Sequence, residues 1–335
     1  MNHNSILVTG CCGTVGKSLI SFLIENTKFS IIGIDINENE LFLLSEFYKD
    51  NSRISFYNAD IRDRNSIKNY FNFTKIIFHL AALKHVGLNE SNPSEVINTN
   101  INSLMTLIDL SKDYDVDKFI FSSSDKAVNP TNVMGTSKLL GEKIISAANI
   151  DSSSKTIFSS VRFGNVLASN GSVLPIFLNQ LKNNLPLTIT DKRMTRFIMD
   201  VTQSVRLLFD SLNYAIGGEV FVTKMPAIRI IDLATSLLNF YNKNNDQLQF
   251  VYPKPGEKLY EELISDDEMT RVLELDNYYV IKPAFIDLYP KNKFIYKDIK
   301  SKDVSSVYNS ENNSKLSEKE IIDFLLSYNL IPKRI

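Results

Sequence analysis

Cysteine is nearly missing from this chain of 335 residues: it has two, Cys11 and Cys12, side by side. Adjacent cysteines supply neither a disulfide framework nor the spaced pairs of a structural zinc site. Histidine is as scarce, with His3, His79 and His85 in no ligand spacing, so no metal is expected. An excess of charge is absent too. Lys and Arg total 37 against 38 Asp and Glu, a net charge of −1, which speaks against a nucleic-acid binder working through a basic surface. No apolar run reaches the roughly 18 residues that span a bilayer. The opening Met-Asn-His-Asn-Ser-Ile-Leu-Val-Thr-Gly lacks the basic flank and long apolar core of a signal peptide. Repeats and extended low-complexity segments are missing as well. These absences leave a soluble, cytoplasmic, metal-free globular chain, with no nucleic-acid and no membrane partner, as the expectation.

What is present is an ordinary globular composition, 44% apolar and 22% charged, and a length that suits one large domain with an appended lobe. The first half alternates β-branched runs with amphipathic stretches. Strands are expected at Ile6–Thr9, Ser30–Asp35, Ile54–Asn58, Lys75–Leu80, Lys118–Ser122 and Thr156–Phe163, and helices near 14–25, 37–49, 64–71, 94–114 and 135–148. That alternation predicts an α/β, Rossmann-like, doubly wound parallel sheet covered on both faces. After residue 165 the regularity breaks. Short strands at Glu219–Thr223 and Gln247–Tyr252 mix with helices near 173–183, 200–213 and 229–241. The division expected is a dinucleotide domain over 1–167, with segments near 200–225 returning to it, a smaller α/β substrate lobe over 168–290, and a linker with a terminal helix over 291–335. The stretch 290–316, rich in Lys, Asn and Ser, reads as a surface linker, and Ser317 with Glu320 forms a capping box opening a helix at Glu318–Tyr328.

Ile-Leu-Val-Thr-Gly-Cys-Cys-Gly-Thr-Val-Gly, residues 6–16, follows the first strand directly. Gly10, Gly13 and Gly16 let the backbone turn tightly and approach a pyrophosphate at the start of the next helix, opened by Thr14 and Val15. The second strand ends in Asp35, suited to the ribose hydroxyls of an adenosine and repulsive to a 2′-phosphate, which favours NAD over NADP. Asp60 and Ile61, after the third strand, are expected to meet the adenine, and Ala81 and Ala82, after the fourth, to let the cofactor pass closely. Small size suffices to explain Cys11 and Cys12 inside the loop. His79, in an apolar strand, reads as a core histidine.

Residues 119–142 read Phe-Ile-Phe-Ser-Ser-Ser-Asp-Lys-Ala-Val-Asn-Pro-Thr-Asn-Val-Met-Gly-Thr-Ser-Lys-Leu-Leu-Gly-Glu. With the glycine loop, His79–Val86, Arg162–Ala168, Gly171–Pro175, Met194–Phe197 and Pro255–Lys258, this segment resembles the extended short-chain dehydrogenase/reductases, within the nucleotide-sugar 4,6-dehydratases that act on N-acetylglucosamine. The blocks run in order from residue 6 to about 265.

The resemblance implies a chemistry that can be argued through. The C5 hydrogen of a hexose is not acidic. Oxidising C4 to a ketone with NAD places that hydrogen α to a carbonyl, so a side chain can remove it. The C6 hydroxyl then leaves with acid assistance, hydride returns to C6, and the product is a 4-keto-6-deoxy sugar. By resemblance Asp125 is the acid, Lys126 takes the C5 proton, Ser124 stands beside C4 and Lys138 holds the nicotinamide ribose. Lys126 must then be neutral, and Lys138 with the oxidised nicotinamide is expected to push it down. The family's Tyr-x-x-x-Lys is here Met-x-x-x-Lys, with Met134 at the tyrosine position. A thioether takes no proton, so Asp125, Lys126 or a water relay must deprotonate the C4 hydroxyl.

At the substrate end, Lys84 and His85 are expected to contact the sugar and Asn165 the sugar or diphosphate. Ser172 and Val173, opening a helix, suit phosphate oxygens. Arg196 is the expected cation for the diphosphate, and Glu257 the acceptor for the nucleotide's ribose hydroxyls. The nucleotide, UDP or GDP, and the C5 configuration of the product stay open. The rivals are a nucleotide-sugar 4-epimerase, which needs no acid at C6, and a non-catalytic NAD-binding regulator. Larger relatives carry membrane helices before this domain, so a free-standing form is expected. Helices 94–114 and 135–148 form the family's usual dimer surface, and a homo-oligomer, dimer or higher, is expected.

Overall fold

The computed structural model describes residues 4–150, 154–169, 171–253, 255–289, 294–297, 299–301 and 307–335. Six strands, β1 (Ser5–Thr9), β2 (Ser30–Asp35), β3 (Ile54–Asn58), β4 (Thr74–His79), β5 (Lys118–Ser124) and β6 (Ile157–Phe163), lie in the order β6-β5-β4-β1-β2-β3, each neighbouring pair parallel. This is the doubly wound sheet that the alternation predicts. The strands read apolar because both faces are covered. In β1, Ile6 and Val8 join a core with Leu19, Ile20 and Leu23, while Leu7 joins Ile77, Leu104 and Phe119 in another. Each such side chain contributes roughly 1.5–3 kcal/mol on burial, so a slip of one residue along β1 would exchange the two sets and lose both cores.

The helices of this half are α1 (Thr14–Asn26), α2 (Glu38–Phe47), α3 (Arg64–Ile67), α4 (Val86–Ser91), α5 (Pro93–Val96), α6 (Ser103–Asp113) and α7 (Val133–Ala148). Residues 94–114, expected as one helix, are instead α5, a π-helical turn over Ile97–Asn102, and α6. The wider turn carries buried Asn100. Its Oδ1 accepts from Leu83 N at 2.8 Å, and its Nδ2 donates to Leu83 O at 3.1 Å and Ser137 Oγ at 2.9 Å. One polar side chain thus ties the segment after β4 to α7.

Beyond β6 come β7 (Asn165–Val166), α8 (Val173–Lys182), β8 (Leu187–Ile189), β9 (Thr195–Met199), α9 (Val201–Tyr214), β10 (Val220–Thr223), β11 (Ala227–Arg229), α10 (Ile230–Phe240), β12 (Leu248–Phe250), β13 (Glu262–Ile264), β14 (Val272–Glu274), β15 (Tyr278–Ile281), β16 (Tyr308–Asn309) and α11 (Glu318–Ser327). β10 adds to β6 in parallel, β15 to β10 and β14 to β15 antiparallel, completing nine strands. The strand β10, near 200–225, and the edge strands over 272–281 thus lie in the main sheet. Elements of three or four residues are too short to show a period.

A second core joins Leu174 and Phe177 of α8, Leu233 and Leu237 of α10, and Ile321 and Leu325 of α11. The helix α11 opens on the expected box of Ser317 and Glu320 and is a working part of that core. The reading of 290–316 as a surface linker is corrected. Residues 290–293, 298 and 302–306 lie outside the described residues, but Tyr296 is buried in the main core, β16 pairs with β13, and Ser310 is fully buried. Polar composition misled here because these side chains are hydrogen-bonded inside: Ser310 Oγ accepts from Glu261 N at 2.9 Å, and Tyr296 Oη donates to Glu219 at 3.4 Å.

Candidate active site

Parallel sheets offer ligands a crevice at the carboxyl ends of their strands, and the sequence-derived residues gather there. At the end of β1, Gly10 has φ +71°, and a β-carbon on it would come 2.6 Å from Ala81 N. A β-carbon on Gly16 would collide with the Gly10 carbonyl and approach Cys11 Cα to 2.8 Å, whereas one on Gly13 would find Gly10 O at 3.3 Å. Gly10 and Gly16 therefore serve the chain's own close packing, and Gly13 leaves the loop face bare. Gly13 caps α1 with no side-chain bond. The first N–H groups, from Thr14 and Val15 onward, are thus open to an anion. Asp35, ending β2, accepts from Asn37 N at Oδ1 and Cys12 N at Oδ2, both at 3.0 Å, which holds its negative charge beside the loop. Bare backbone, open N–H groups and this carboxylate together fit a dinucleotide.

Asp60 is engaged differently from the expectation. Its carboxylate takes Arg62 Nη2 at 2.6 Å and Nε at 2.9 Å, and these bonds hold it below the usual carboxylate range. Ile61 is buried in the core. His79 is a core residue, with Nδ1 2.7 Å from Thr9 Oγ1 and its ring against Phe119 and Phe121. Burial pushes it down to about 3, so it stays neutral. Thr9 Oγ1 also accepts from Ala81 N at 3.3 Å, which seats Ala81 and Ala82 beside the glycine loop. Cys11, Cys12 and Asp35 have potential ligand atoms within 4.8 Å of one another. Burial raises both thiols, Cys12 to about 12, so they are neutral and poor ligands.

The second cluster begins where β5 ends. Ser124 caps a 3₁₀ turn over Asp125–Ala127. Its Oγ donates to Asp125 Oδ1 at 2.6 Å and accepts from Lys126 N at 3.2 Å. Lys126 Nζ donates to the same Asp125 Oδ1 at 3.0 Å and to Asn165 Oδ1 at 3.4 Å. Asp125 is fully buried, and its Oδ2 has no partner among the described residues. On the other side of Lys126 stands a carboxylate the sequence reading missed: Glu261 Oε1 lies 3.7 Å from Nζ. Glu261 is 2% exposed, and its Oε2 is unbonded among the described residues.

The expected depression of Lys126 is corrected. Burial works to lower it, but Asp125 and Glu261 outweigh burial and hold it above its ordinary value, with Arg196 opposing them. Lys138 is turned elsewhere. Its Nζ donates to Ser122 O at 2.8 Å and lies 4.7 Å from the Phe121 ring centre. Burial lowers Lys138 itself to about 8. Met134 is buried at the tyrosine position, and Gly135 follows it because a β-carbon there would collide with the Lys126 carbonyl.

Glu261 reaches the cluster because the loop before β13 docks on the segment after the 3₁₀ turn. Lys258 Nζ donates to Val128 O at 2.7 Å, Thr131 Oγ1 to Gly256 O at 3.1 Å, and Asn129 Nδ2 to Glu262 at 2.9 Å. Arg196, on β9, is drawn into the same loop. Its guanidinium donates to Thr195 O at 2.7 Å, Lys258 O at 2.9 Å and Leu259 O at 3.3 Å, with Glu261 at 3.9 Å and Glu257 at 4.0 Å. The cation expected to meet a diphosphate is occupied by the chain's own oxygens. Lys84 and His85 are exposed after β4, and His85 packs over Gly171. Ser172 caps α8 ahead of Val173, and its Oγ has no partner among the described residues.

Behind the cluster, buried Arg162 makes paired bonds to Glu142 at 2.9 and 2.7 Å and to Glu268 at 2.7 Å each, while Ser123 Oγ donates to Glu142 at 2.5 Å. This triad clamps β6, α7 and the turn 266–271 together.

A family model described as "Polysaccharide biosynthesis protein" matches residues 6–283. An uncharacterized membrane protein of Methanocaldococcus jannaschii is 42% identical over 305 residues, 88% of this chain and 91% of that one. A UDP-glucose 4-epimerase of Rickettsia bellii is 37% identical over 339 residues, 99% of this chain and 98% of that one. Among solved structures, Pen from Bacillus thuringiensis is similar with a TM-score of 0.90 at 34% identity, covering 98% of this chain and 99% of that one. DesIV, a dTDP-glucose 4,6-dehydratase from Streptomyces venezuelae solved with NAD, shares the fold at a TM-score of 0.69 and 19% identity, over 76% and 86%. No helix among the described residues is long and apolar enough to cross a membrane.

Proposed function

The chain belongs to the polysaccharide biosynthesis protein family, and on that premise we propose that it is an NAD-dependent 4,6-dehydratase of a UDP- or GDP-linked N-acetylglucosamine. One observation carries the reading: the carboxylate of Asp125, fully buried, lies 3.0 Å from an amine and 2.6 Å from a hydroxyl, in a chain with Met134 at the usual tyrosine position. An epimerase needs a base at C4 and no acid at C6. A buried acid and amine side by side is what elimination needs. The N-acetylglucosamine substrate comes from the resemblance of the sequence blocks.

NAD bound at the glycine loop, with Asp35 at its ribose, supplies the site that takes hydride from C4 and gives it to C6. The chain's residues handle the protons. The C4 hydroxyl passes its proton through Ser124 Oγ to Asp125, the task Met134 cannot perform. Asp125 then delivers that proton to the departing C6 hydroxyl, which leaves as water. Lys126, after releasing its own proton to solvent, takes the C5 proton, returns one to C5 when C6 becomes a methyl group, and is recharged from solvent at the end of the cycle. Protons balance: the water carries away the C4 hydroxyl proton, and C5 ends as it began. Once Asp125 is protonated, one of the two anions that keep Lys126 charged is gone, which brings the amine closer to its basic form.

Mass spectrometry after incubation with UDP- and GDP-N-acetylglucosamine tests the reading. The expected product has lost one water. A product of unchanged mass with galacto configuration would favour the 4-epimerase that the Rickettsia relative is named for. Binding of NAD with no product from either sugar would favour the non-catalytic regulator.

A further inference from the structure

Lys126 is held from two sides by carboxylates from distant parts of the chain. Asp125 is its sequence neighbour. Glu261 arrives on the loop before β13, with Oε1 3.7 Å from Lys126 Nζ. The charged groups around this point are Asp125 on the 3₁₀ turn, Glu261 and Lys258 on the loop, and Arg196 on β9, with the Asn165 amide on β7. Arg196 is anchored on three carbonyls and lies 3.9 Å from Glu261. Lys258 is tied to Val128 O. Glu261 itself is fixed by its backbone: Glu261 N donates to Ser310 Oγ, and its carbonyl accepts from Ser310 N at 2.8 Å. A carboxylate that buried, with one oxygen toward the Lys126 amine and the other unbonded among the described residues, is a demanding feature to keep for packing alone.

We propose that Glu261 is a positioning residue for Lys126: it holds the amine against Asp125 and Asn165 and keeps a carboxylate facing it when Asp125 is protonated. The inference rests on the dehydratase reading for its consequence in catalysis, but not for its first observable. When Asp125 carries the proton bound for the C6 hydroxyl, Glu261 is the remaining anion facing Lys126. It then keeps the amine a strong base and aims it. Without Glu261, the amine would lose its proton at lower pH, be a weaker base, and be held by neutral oxygens only. Burial raises Glu261 itself, opposed by Lys126, so the carboxylate and the amine exchange influence in both directions.

The test has two arms. In the first, lysine carrying ¹³C at Cε is incorporated and the Lys126 signal, identified by its loss in Lys126→Arg, is titrated in the full-length protein without substrate. Glu261→Gln is expected to move that titration to lower pH by about one unit or more, with Glu261→Asp moving it less. In the second, dehydration rates are followed against pH. Glu261→Gln is expected to shift the rising limb to lower pH and to lower the plateau, with KM changed less than kcat. An unmoved Lys126 titration in a folded Glu261→Gln protein overturns the proposal, whatever the rates do. If Glu261→Gln fails to fold, an Asp variant whose Lys126 titration matches wild type with an unmoved limb overturns it equally. A shifted titration in a protein that dehydrates no sugar leaves Glu261's hold on Lys126 standing and removes the dehydratase reading instead.

Discussion

The hydroxyl of Ser124 donates to Asp125 Oδ1 at 2.6 Å, and that oxygen also receives the Lys126 amine. In the proposed mechanism, one carboxylate oxygen therefore joins the residue placed beside C4 to the residue assigned to C5, and Oδ2 is left for the leaving group. Asp125→Asn keeps the shape and removes the proton carrier. Dehydration is expected to fall about 10²–10⁴-fold, with NAD binding unchanged by fluorescence titration. Ser124→Ala is expected to slow C4 oxidation more than exchange at C5 of a preformed 4-keto sugar.

The glycines of the first loop are not equivalent. A β-carbon at residue 16 collides with the Gly10 carbonyl and presses on Cys11 Cα, backbone on backbone, whereas one at residue 13 meets Gly10 O at 3.3 Å. Gly16→Ala is expected to destabilise the fold by about 1–3 kcal/mol and to abolish NAD binding. Gly13→Ala is expected to keep the melting temperature within a few degrees while weakening NAD, since its space is the ligand's. Thermal melts with and without NAD separate the two.

Lys138 is buried, and burial lowers it from 10.5 to about 8. The unfolded chain keeps the proton up to 10.5, so between about pH 8 and 10.5 it binds more protons than the folded protein, and stability rises with pH across that window. Below pH 8 the buried charge costs on the order of 3 kcal/mol, partly offset by the bond to Ser122 O. Lys138→Met is therefore expected to raise the melting temperature at pH 7, with the gain vanishing toward pH 10.5, and to lower turnover about tenfold or more.

Glu268 shows the opposite sign. Burial pushes it up, but Arg162 outweighs burial and holds it at about 2, against an ordinary 4.5. As pH falls below 4.5 the unfolded chain takes up the proton first. The stability this pairing contributes is therefore present above about 4.5 and lost down to about 2. Glu268→Gln leaves Arg162 with Glu142 alone and is expected to destabilise by about 3–5 kcal/mol at pH 7. The gap from wild type should close as the pH approaches 2, measured by urea unfolding at several pH values.

The parallel sheet was legible because β1, β4 and β5 are buried on both faces and must read as apolar runs. The glycine loop was legible because backbone crowding at Gly10 and Gly16 admits no other residue. The pairing of Asp125 with Lys126 was readable because it is local in the chain. What escaped depends on long-range pairing. Glu261 looks like any turn carboxylate until its loop docks on residues 128–132. The charge state of Lys126 was misjudged for the same reason, since its second anion sits 135 residues away. The break at Ile97–Asn102 also escaped, because the pull on Asn100 comes from Leu83 and Ser137.

The central claim is that Asp125 and Lys126 remove water across C5 and C6 of a nucleotide-linked N-acetylglucosamine. Proton NMR of the reaction in D₂O, with NAD and each of the UDP- and GDP-linked sugars, tests it most directly. A new C6 methyl signal and deuterium at C5 are expected, both lost in Asp125→Asn, with the ring couplings giving the C5 configuration. A galacto product with its C6 hydroxyl intact, or no change in either sugar with NAD bound, would contradict it.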